Sequence, residues 1–227
     1  MKLSVVVPLW NEADRVPQLV HGLRAVGFDE LICVDGGSTD RTWEALGKQH
    51  GVTRIRASKG RGGQLNAGAS LATGDALWFV HADATPPAAA RTHIEKALRN
   101  PRVVAGAFQT WHVGDPPGNP WTAWTHLADL RSRISRHPYG DQGLFVRTQV
   151  FRELGGFANI PLMEDYELSR RLAKVAPTAR IRERMTVSDR RFRGAPLASL
   201  LTMWTFPALF RLGIPPHRLS KLYKDLR

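Results

Sequence analysis

Apolar and polar positions follow two rhythms along the first half of the chain. Leu3-Ser4-Val5-Val6-Val7-Pro8-Leu9 is a short β-rich run. From about Glu12 to Val26, residues Val16, Leu19, Val20 and Leu23 recur at helical spacing on one face. Leu31 to Val34 predicts a second strand, and Ser38 or Thr39 suits the cap of a helix from Asp40 to Lys48. Val52 to Ile55 reads as a third strand, and Gln64 to Ala72 as a helix that ends at Gly74. Ala76 to Val80 is a fourth strand, Pro86 to Arg99 a helix with its proline near the start, and Val103 to Thr110 another strand. The second half is less regular. A loop is expected over 115–120, a helix from Trp121 to Ser135 and a turn over Tyr139–Gly143. A short strand from Leu144 to Arg147 and a helix from Leu162 to Ala173 follow.

Strand–helix alternation at this spacing predicts an α/β fold with a mostly parallel central sheet flanked by helices. In such sheets ligands sit outside the carboxyl ends of the strands. Three loops at those ends collect polar residues: Trp10-Asn11-Glu12, Asp35-Gly36-Gly37-Ser38-Thr39-Asp40 and His81-Ala82-Asp83. The last is the most informative, because an apolar run (Ala76 to Val80) ends in an acid with a histidine two residues before it. Asp83 is an oxygen ligand for a hard cation, and His81 is a second ligand or a hydrogen-bonding partner.

Composition narrows the picture. The 227 residues are 43% hydrophobic and 23% charged, which is globular, with a net charge of +12. The charge is uneven: residues 190–227 hold eight Lys and Arg and one acid, Asp225. Cys33 is the single cysteine, so no intrachain disulfide forms, and it reads as a buried thiol in a reducing compartment. Met1 to Trp10 reads as the first strand rather than a signal peptide, since it holds Pro8 and lacks a small-residue cleavage site. No His or Cys group has zinc spacing, and no serine sits in a Gly-x-Ser-x-Gly elbow. Nucleic acid is not an expected partner, because no basic stripe is interleaved with aromatics.

Three further clusters admit two readings each. Asp35 with Gly36-Gly37 suits hydrogen bonding to a ribose or base, and equally suits a helix-capping turn. Lys59-Gly60-Arg61-Gly62-Gly63-Gln64 suits a diphosphate, or is a mobile surface loop. Glu164-Asp165 lies at an expected helix start, where acids suit the dipole and where one of them is also placed to act as a general base.

Taken together, the pieces resemble a family 2 glycosyltransferase of the GT-A fold. The resemblance runs in order through Val5 to Glu12, Val34 to Asp40, Asn66-Ala67-Gly68, Ala72 to Asp75 and His81-Ala82-Asp83. Gly155-Gly156-Phe157 and Met163 to Leu168 complete it. The His-Ala-Asp and Gly140-Asp141-Gln142-Gly143 look like a small bacterial subgroup associated with radical-SAM and selenium-related proteins.

The resemblance implies an inverting hexosyltransferase that takes a UDP- or GDP-sugar with Mg²⁺ or Mn²⁺. It implies that Asp35 contacts the nucleoside, Asp83 binds the metal with His81, and Asp165, with Glu164 beside it, is the catalytic base. Pro8, Leu9, Asn11, Glu12, Gly36, Gln64 and Ala82 would line the nucleotide-sugar site, with Lys59 or Arg61 near the diphosphate. Two departures stand out. Gly36 replaces an acid common in the family, and His81 replaces the first acid of its Asp-x-Asp, which makes metal affinity lower and pH-sensitive near histidine's pKa of about 6.5. The family's Gln-x-x-Arg-Trp element is only echoed by Asp189-Arg190-Arg191-Phe192, which predicts a single transfer rather than polymerisation.

The expected organisation is a GT-A domain over 1–190, its nucleotide-sugar half about 1–112 and acceptor half about 113–190. A helical, basic, amphipathic tail then occupies 191–227. Within the tail, 194–210 is uncharged. It is short and polar for a membrane span, and reads either as an interfacial helix with Leu197, Leu200, Leu201, Trp204 and Leu209 in lipid or as a helix packed on the domain. The first option gives an anionic membrane surface as partner, suits a lipid-linked acceptor, and places a cytoplasmic protein at the inner face of the plasma membrane. The alternative function is a catalytically silent nucleotide-sugar or membrane-binding module. A nucleotidyltransferase is disfavoured because its glycine-rich activating loop near the amino terminus is missing.

Overall fold

The computed structural model describes residues 1–115, 122–192 and 195–225. In chain order the first elements are β1 (Leu3–Leu9), α1 (Val16–Val26), β2 (Glu30–Asp35), α2 (Thr42–Gly47), β3 (Thr53–Arg56) and α3 (Arg61–Leu71). Then come β4 (Ala76–Phe79), β5 (Ala84–Thr85), α4 (Ala90–Arg99), β6 (Ala105–Val113) and α5 (Thr122–Ile134). After a 3-10 turn at Gly140–Gln142 follow β7 (Phe145–Arg147), α6 (Thr148–Glu153), α7 (Glu164–Val175) and β8 (Ala179–Ser188). A second 3-10 turn, Asp189–Phe192, leads to α8 (Pro196–Arg211) and α9 (Pro216–Asp225).

The sheet order is β3-β2-β1-β4-β7-β6-β8-β5. Pairing is parallel from β3 through β4 and again between β6 and β8. It is antiparallel where β7 joins β4 to β6 and where β5 joins β8. This is the expected mostly parallel α/β sheet, with the antiparallel pairs gathered in its second half. Side-chain alternation explains the unbroken apolar runs. Val5 and Val7 of β1 share one cluster with Trp78 and with Val16, Leu19, Val20 and Leu23 of α1. Val6, on the opposite face, packs with Phe79 and with Leu65 and Ala69 of α3.

Several boundaries differ from the sequence reading, each for a local reason. Helix α1 starts at Val16 because Asn11 takes φ 55° and Glu12 O closes a turn onto Arg15 N and Val16 N. Helix α3 starts at Arg61, so the supposed glycine-rich loop is in part its first turn. Gly62 is required there, since a Cβ would lie 2.8 Å from Ala158 O. Strand β8 is absent from the hydrophobic pattern because its first half, Arg180 to Arg184, is largely charged and exposed. Its pairing with β6 holds it instead, with a register shift that leaves Arg182 and Glu183 outside the ladder.

The uncharged stretch forms α8, which packs on the domain through one face. Leu200 meets Ala128 and Phe192, and Phe206 meets Tyr139, Met163 and Tyr166. Leu197, Leu201 and Trp204 remain exposed, and so do Trp124, Leu127, Leu130 and Ile134 on the neighbouring α5. Of the lipid-facing set read from the sequence, Leu200 is buried in the protein and Leu209 packs against the Tyr166 cluster. No helix among the described residues is long and apolar enough to cross a membrane.

Candidate active site

The first two loops at the carboxyl ends are tied to each other. Asn11 N donates to Ser38 Oγ at 2.9 Å, Thr39 N donates to Asn11 Oδ1 at 2.9 Å, and Glu12 N donates to Thr42 Oγ1 at 2.8 Å. Asp35 ends β2 fully buried. Its Oδ1 accepts from Ser38 N at 3.1 Å, while Oδ2 has no hydrogen-bond partner and lies 3.7 Å from Arg56 Nε. A buried carboxylate oxygen left in this state is an acceptor for an incoming N–H or O–H.

The glycine that replaces an acid has a structural cause. A Cβ at Gly36 would lie 2.9 Å from Gln64 Cδ and Nε2. Gln64 is itself buried, donating from Nε2 to Leu9 O and Val34 O at 2.9 Å each. The glutamine side chain ties β1 to β2 and fills the space a side chain at position 36 would need.

An open cleft of about 510 Å³ runs along these loop ends. Pro8, Leu9, Asn11, Glu12, Arg61, Gln64, His81, Ala82 and Asp83 all line it, so one wall of one cleft gathers nine of the residues picked from sequence. The His81–Asp83 loop is pinned by β5 on β8, and Ser188 N donates to Asp83 O at 3.0 Å. Arg190, from the second 3-10 turn, crosses the cleft floor. Its Nη1 donates to Glu12 Oε2 at 2.8 Å, its Nη2 pairs with Glu12 Oε1, and its Nε lies 3.6 Å from Asp83 Oδ2.

A second, narrower pocket adjoins the cleft and shares Arg61 and His81 with it. Asp165 stands here, in the first turn of α7. Gly140 N donates to its Oδ2 and Tyr166 N to its Oδ1, each at 2.6 Å. A Cβ built on Gly140 would lie 2.6 Å from His81 Nε2 and 3.1 Å from Asp165 Oδ2. The imidazole edge and the carboxylate therefore border one small gap, kept open by the absent side chain of Gly140. Met163, at φ 71°, turns the chain so that the helix begins pointing into this gap.

The remaining predicted residues sit behind or beside the lining. Glu164 is 3% exposed, with Oε1 3.3 Å from Arg61 Nη1, so it holds the arginine that faces both pockets. Lys59 Nζ lies 3.3 Å over the ring of Trp10, at the rim. Asp35 and Gly36 lie under the loop tips. Sequence reasoning missed Arg190 as a site residue, although its Asp-Arg-Arg-Phe setting is a visible echo of the family; its partner Glu12 is 178 residues away. It also missed Asp141, Arg131 and Tyr139, which line the narrow pocket. Burial holds the Tyr139 hydroxyl at about 12, so it stays protonated.

Whether a divalent cation suits this site turns on donor chemistry. No group of three or more His, Cys, Asp or Glu among the described residues is arranged as a metal cage. Asp83 supplies a hard carboxylate, and His81 an imidazole whose Nε2 faces Gly140. Mg²⁺ and Mn²⁺ are often held by one or two carboxylates with substrate phosphates completing the shell. Asp83 fits such a site, and would hold the cation with a donor diphosphate supplying further oxygens.

Comparison with known proteins bears on the family and the fold. A family model described as "Glycosyl transferase family 2" matches residues 4–158. The dolichol-phosphate mannosyltransferase of Pyrococcus furiosus is 30% identical over 109 residues, 44% of this chain and 31% of that protein. The dolichyl-phosphate β-glucosyltransferase of Drosophila melanogaster is 32% identical over 117 residues, 44% of this chain and 36% of that protein. The chain thus spans about a third of the length of these relatives. Among solved structures, mannosyltransferase PcManGT from Pyrobaculum calidifontis, in complex with GDP-Man and Mn²⁺, superposes with a TM-score of 0.68 at 20% identity, covering 98% of this chain and 68% of that one. S. aureus TarS 1–349 in complex with UDP superposes at 0.66 and 16% identity, covering 92% and 66%.

Proposed function

The chain belongs to glycosyltransferase family 2, and from that premise we propose that it is an inverting hexosyltransferase taking a UDP- or GDP-sugar. The observation that carries this reading is that Asp83 lines the cleft and Asp165 the pocket adjoining it, with Arg61 and His81 lining both. The donor half, about 1–112, contributes Asp83, and the acceptor half, about 113–190, contributes Asp165.

Each residue has a role in this scheme. Asp35 Oδ2, which has no hydrogen-bond partner and only the Arg56 guanidinium 3.7 Å away, accepts an N–H of the base, and both uracil and guanine offer one. Arg61, and Lys59 from the rim, face the diphosphate. Asp83 is the metal ligand, and bound Mn²⁺ or Mg²⁺ would offset charge developing on the leaving diphosphate. Asp165 takes the proton of the attacking hydroxyl. Its two backbone N–H bonds hold the carboxylate in place. His81 borders the reacting gap. The exposed apolar faces of α5 and α8, flanked by exposed Arg133, Arg136, Arg211, Arg218 and Lys221, suit an anionic membrane surface and an acceptor presented there.

The test is release of nucleotide from several UDP- and GDP-sugars, with and without Mn²⁺, by wild type, Asp83→Ala and Asp165→Asn. Metal-stimulated release is expected, lost in Asp83→Ala, with transfer cut on the order of 100-fold or more in Asp165→Asn. Undiminished transfer by Asp165→Asn would remove the base assignment. One observation favours a second reading, a silent binding module: Arg190 already pairs with both Glu12 and Asp83. Tight donor binding without turnover, with any metal and acceptor, would support that reading instead.

A further inference from the structure

The narrow pocket beside Asp165 has an apolar wall that includes Met163, Met203 and Phe206. Two charged side chains lining it are buried yet incompletely satisfied. Asp141 is 6% exposed, and its Oδ1 has no hydrogen-bond partner. Arg131 is 9% exposed. Its Nη1 donates to Met203 O at 2.8 Å and its guanidinium lies 3.6 Å over the Tyr139 ring, but its Nε–H has no partner. Leaving a buried polar group unpaired costs about 1–3 kcal/mol, and more for a charged one. Folds retain such groups where something else completes them. These two come from different elements, the 3-10 turn and α5, and neither takes part in donor binding or proton transfer as described above.

We infer that Asp141 and Arg131 recognise the acceptor, and that the part they recognise is a hydroxyl-bearing group such as a sugar ring, not a phosphate. The two orphans have opposite hydrogen-bonding polarity. A sugar ring carries several hydroxyls, and a hydroxyl can donate to an acceptor such as Asp141 Oδ1 or accept from a donor such as Arg131 Nε–H. A phosphate dianion only accepts. It would pair with Arg131 and leave Asp141 and Asp165 facing a like charge across one pocket. The apolar wall offers the C–H face of a ring a dry surface. This inference rests on Asp165 as base: the hydroxyl oxygen bonds to the anomeric carbon, the bond to the diphosphate oxygen breaks with its electron pair, and the hydroxyl proton passes to Asp165. A phosphate nucleophile would need no such base.

Two amphiphiles with the same tail separate the chemistries: n-octyl β-D-glucopyranoside and n-octyl phosphate, each below micelle formation. Their binding to the full chain with UDP present is read by saturation-transfer NMR. The glucoside is expected to bind wild type more tightly than the phosphate. Asp141→Asn, nearly isosteric, and Asp141→Ala should each weaken the glucoside about ten-fold or more while strengthening the phosphate, an inversion that a merely structural role would not produce. Tighter binding of the phosphate by wild type, no binding of the glucoside, or unchanged preferences in both variants would each overturn the inference. Nucleotide release is measured separately. Turnover with a preference for the phosphate sinks this inference alone, whereas glucoside binding through Asp141 without turnover sinks the transferase reading alone.

Discussion

Gly140→Ala isolates the reacting gap from the rest of the protein. Gly140 is not in the left-handed region, so its backbone accepts alanine without torsional strain. The added methyl is a different matter, because it would sit 2.6 Å from His81 Nε2 and 3.1 Å from Asp165 Oδ2. Ordinary contact requires the imidazole to retreat by roughly 0.8 Å. Asp165 has little room to adjust, since Gly140 N and Tyr166 N hold both of its oxygens at 2.6 Å. A misplacement of about 1 Å at a reacting centre costs on the order of 100-fold in rate. The expected result is a kcat for sugar transfer reduced about 10- to 100-fold. Affinity for UDP, measured by calorimetry, should stay close to wild type, since Asp35 and Glu12 lie away from the methyl. A circular-dichroism spectrum matching wild type establishes folding. A folded variant with wild-type kcat would refute the idea that His81 and Asp165 border the point of reaction.

Other consequences follow from charge and burial. Arg190→Met removes a guanidinium that pairs with Asp83 and Glu12. A partly exposed pair of this kind is worth about 1 kcal/mol, so Mn²⁺ binding without donor, followed by electron paramagnetic resonance, should tighten about fivefold; unchanged binding would show that the arginine does not compete. Burial raises the pKa of Asp129, but hydrogen bonds from His112 and His126 outweigh it and hold the carboxyl at about 2. Because that value lies below the unfolded one, the stabilisation, about 2 kcal/mol, is complete above roughly pH 4 and is lost as pH falls toward about 2. Asp129→Asn should therefore lower the urea midpoint near neutral pH and flatten the acid limb, and an acid limb as steep as wild type would contradict the assignment. Leu201→Ser with Trp204→Ser should abolish co-sedimentation with phosphatidylglycerol vesicles, and equal sedimentation would remove the membrane reading.

Much of the fold was readable locally because it is local. Strands β1, β2 and β4 are buried on both faces, so their apolar runs stand out, and α1 and α4 carry clear helical stripes. The residues ending those strands were legible for the same reason, and those after β1 and β4 line one cleft together, while Asp35 at the end of β2 is buried. Strand β8 escaped notice because its stability comes from a partner, β6, far earlier in the chain, and not from its own pattern. Helix α8 left two readings open because a helix with apolar residues on several sides has no face that says what covers it; Leu200 and Phe206 are covered by the domain and Leu201 and Trp204 are not.

By itself the sequence determined the α/β layout and the loops at the carboxyl ends of β1, β2 and β4, since these depend on periodicity and on residues adjacent in the chain. Only the tertiary structure decided that Arg190 spans Glu12 and Asp83, that Gln64 explains Gly36, and that Asp141 and Arg131 reach one pocket unsatisfied. The physical reason is that hydrogen bonding and desolvation act over a few ångströms in space, and those ångströms are set by packing between segments that the chain keeps far apart.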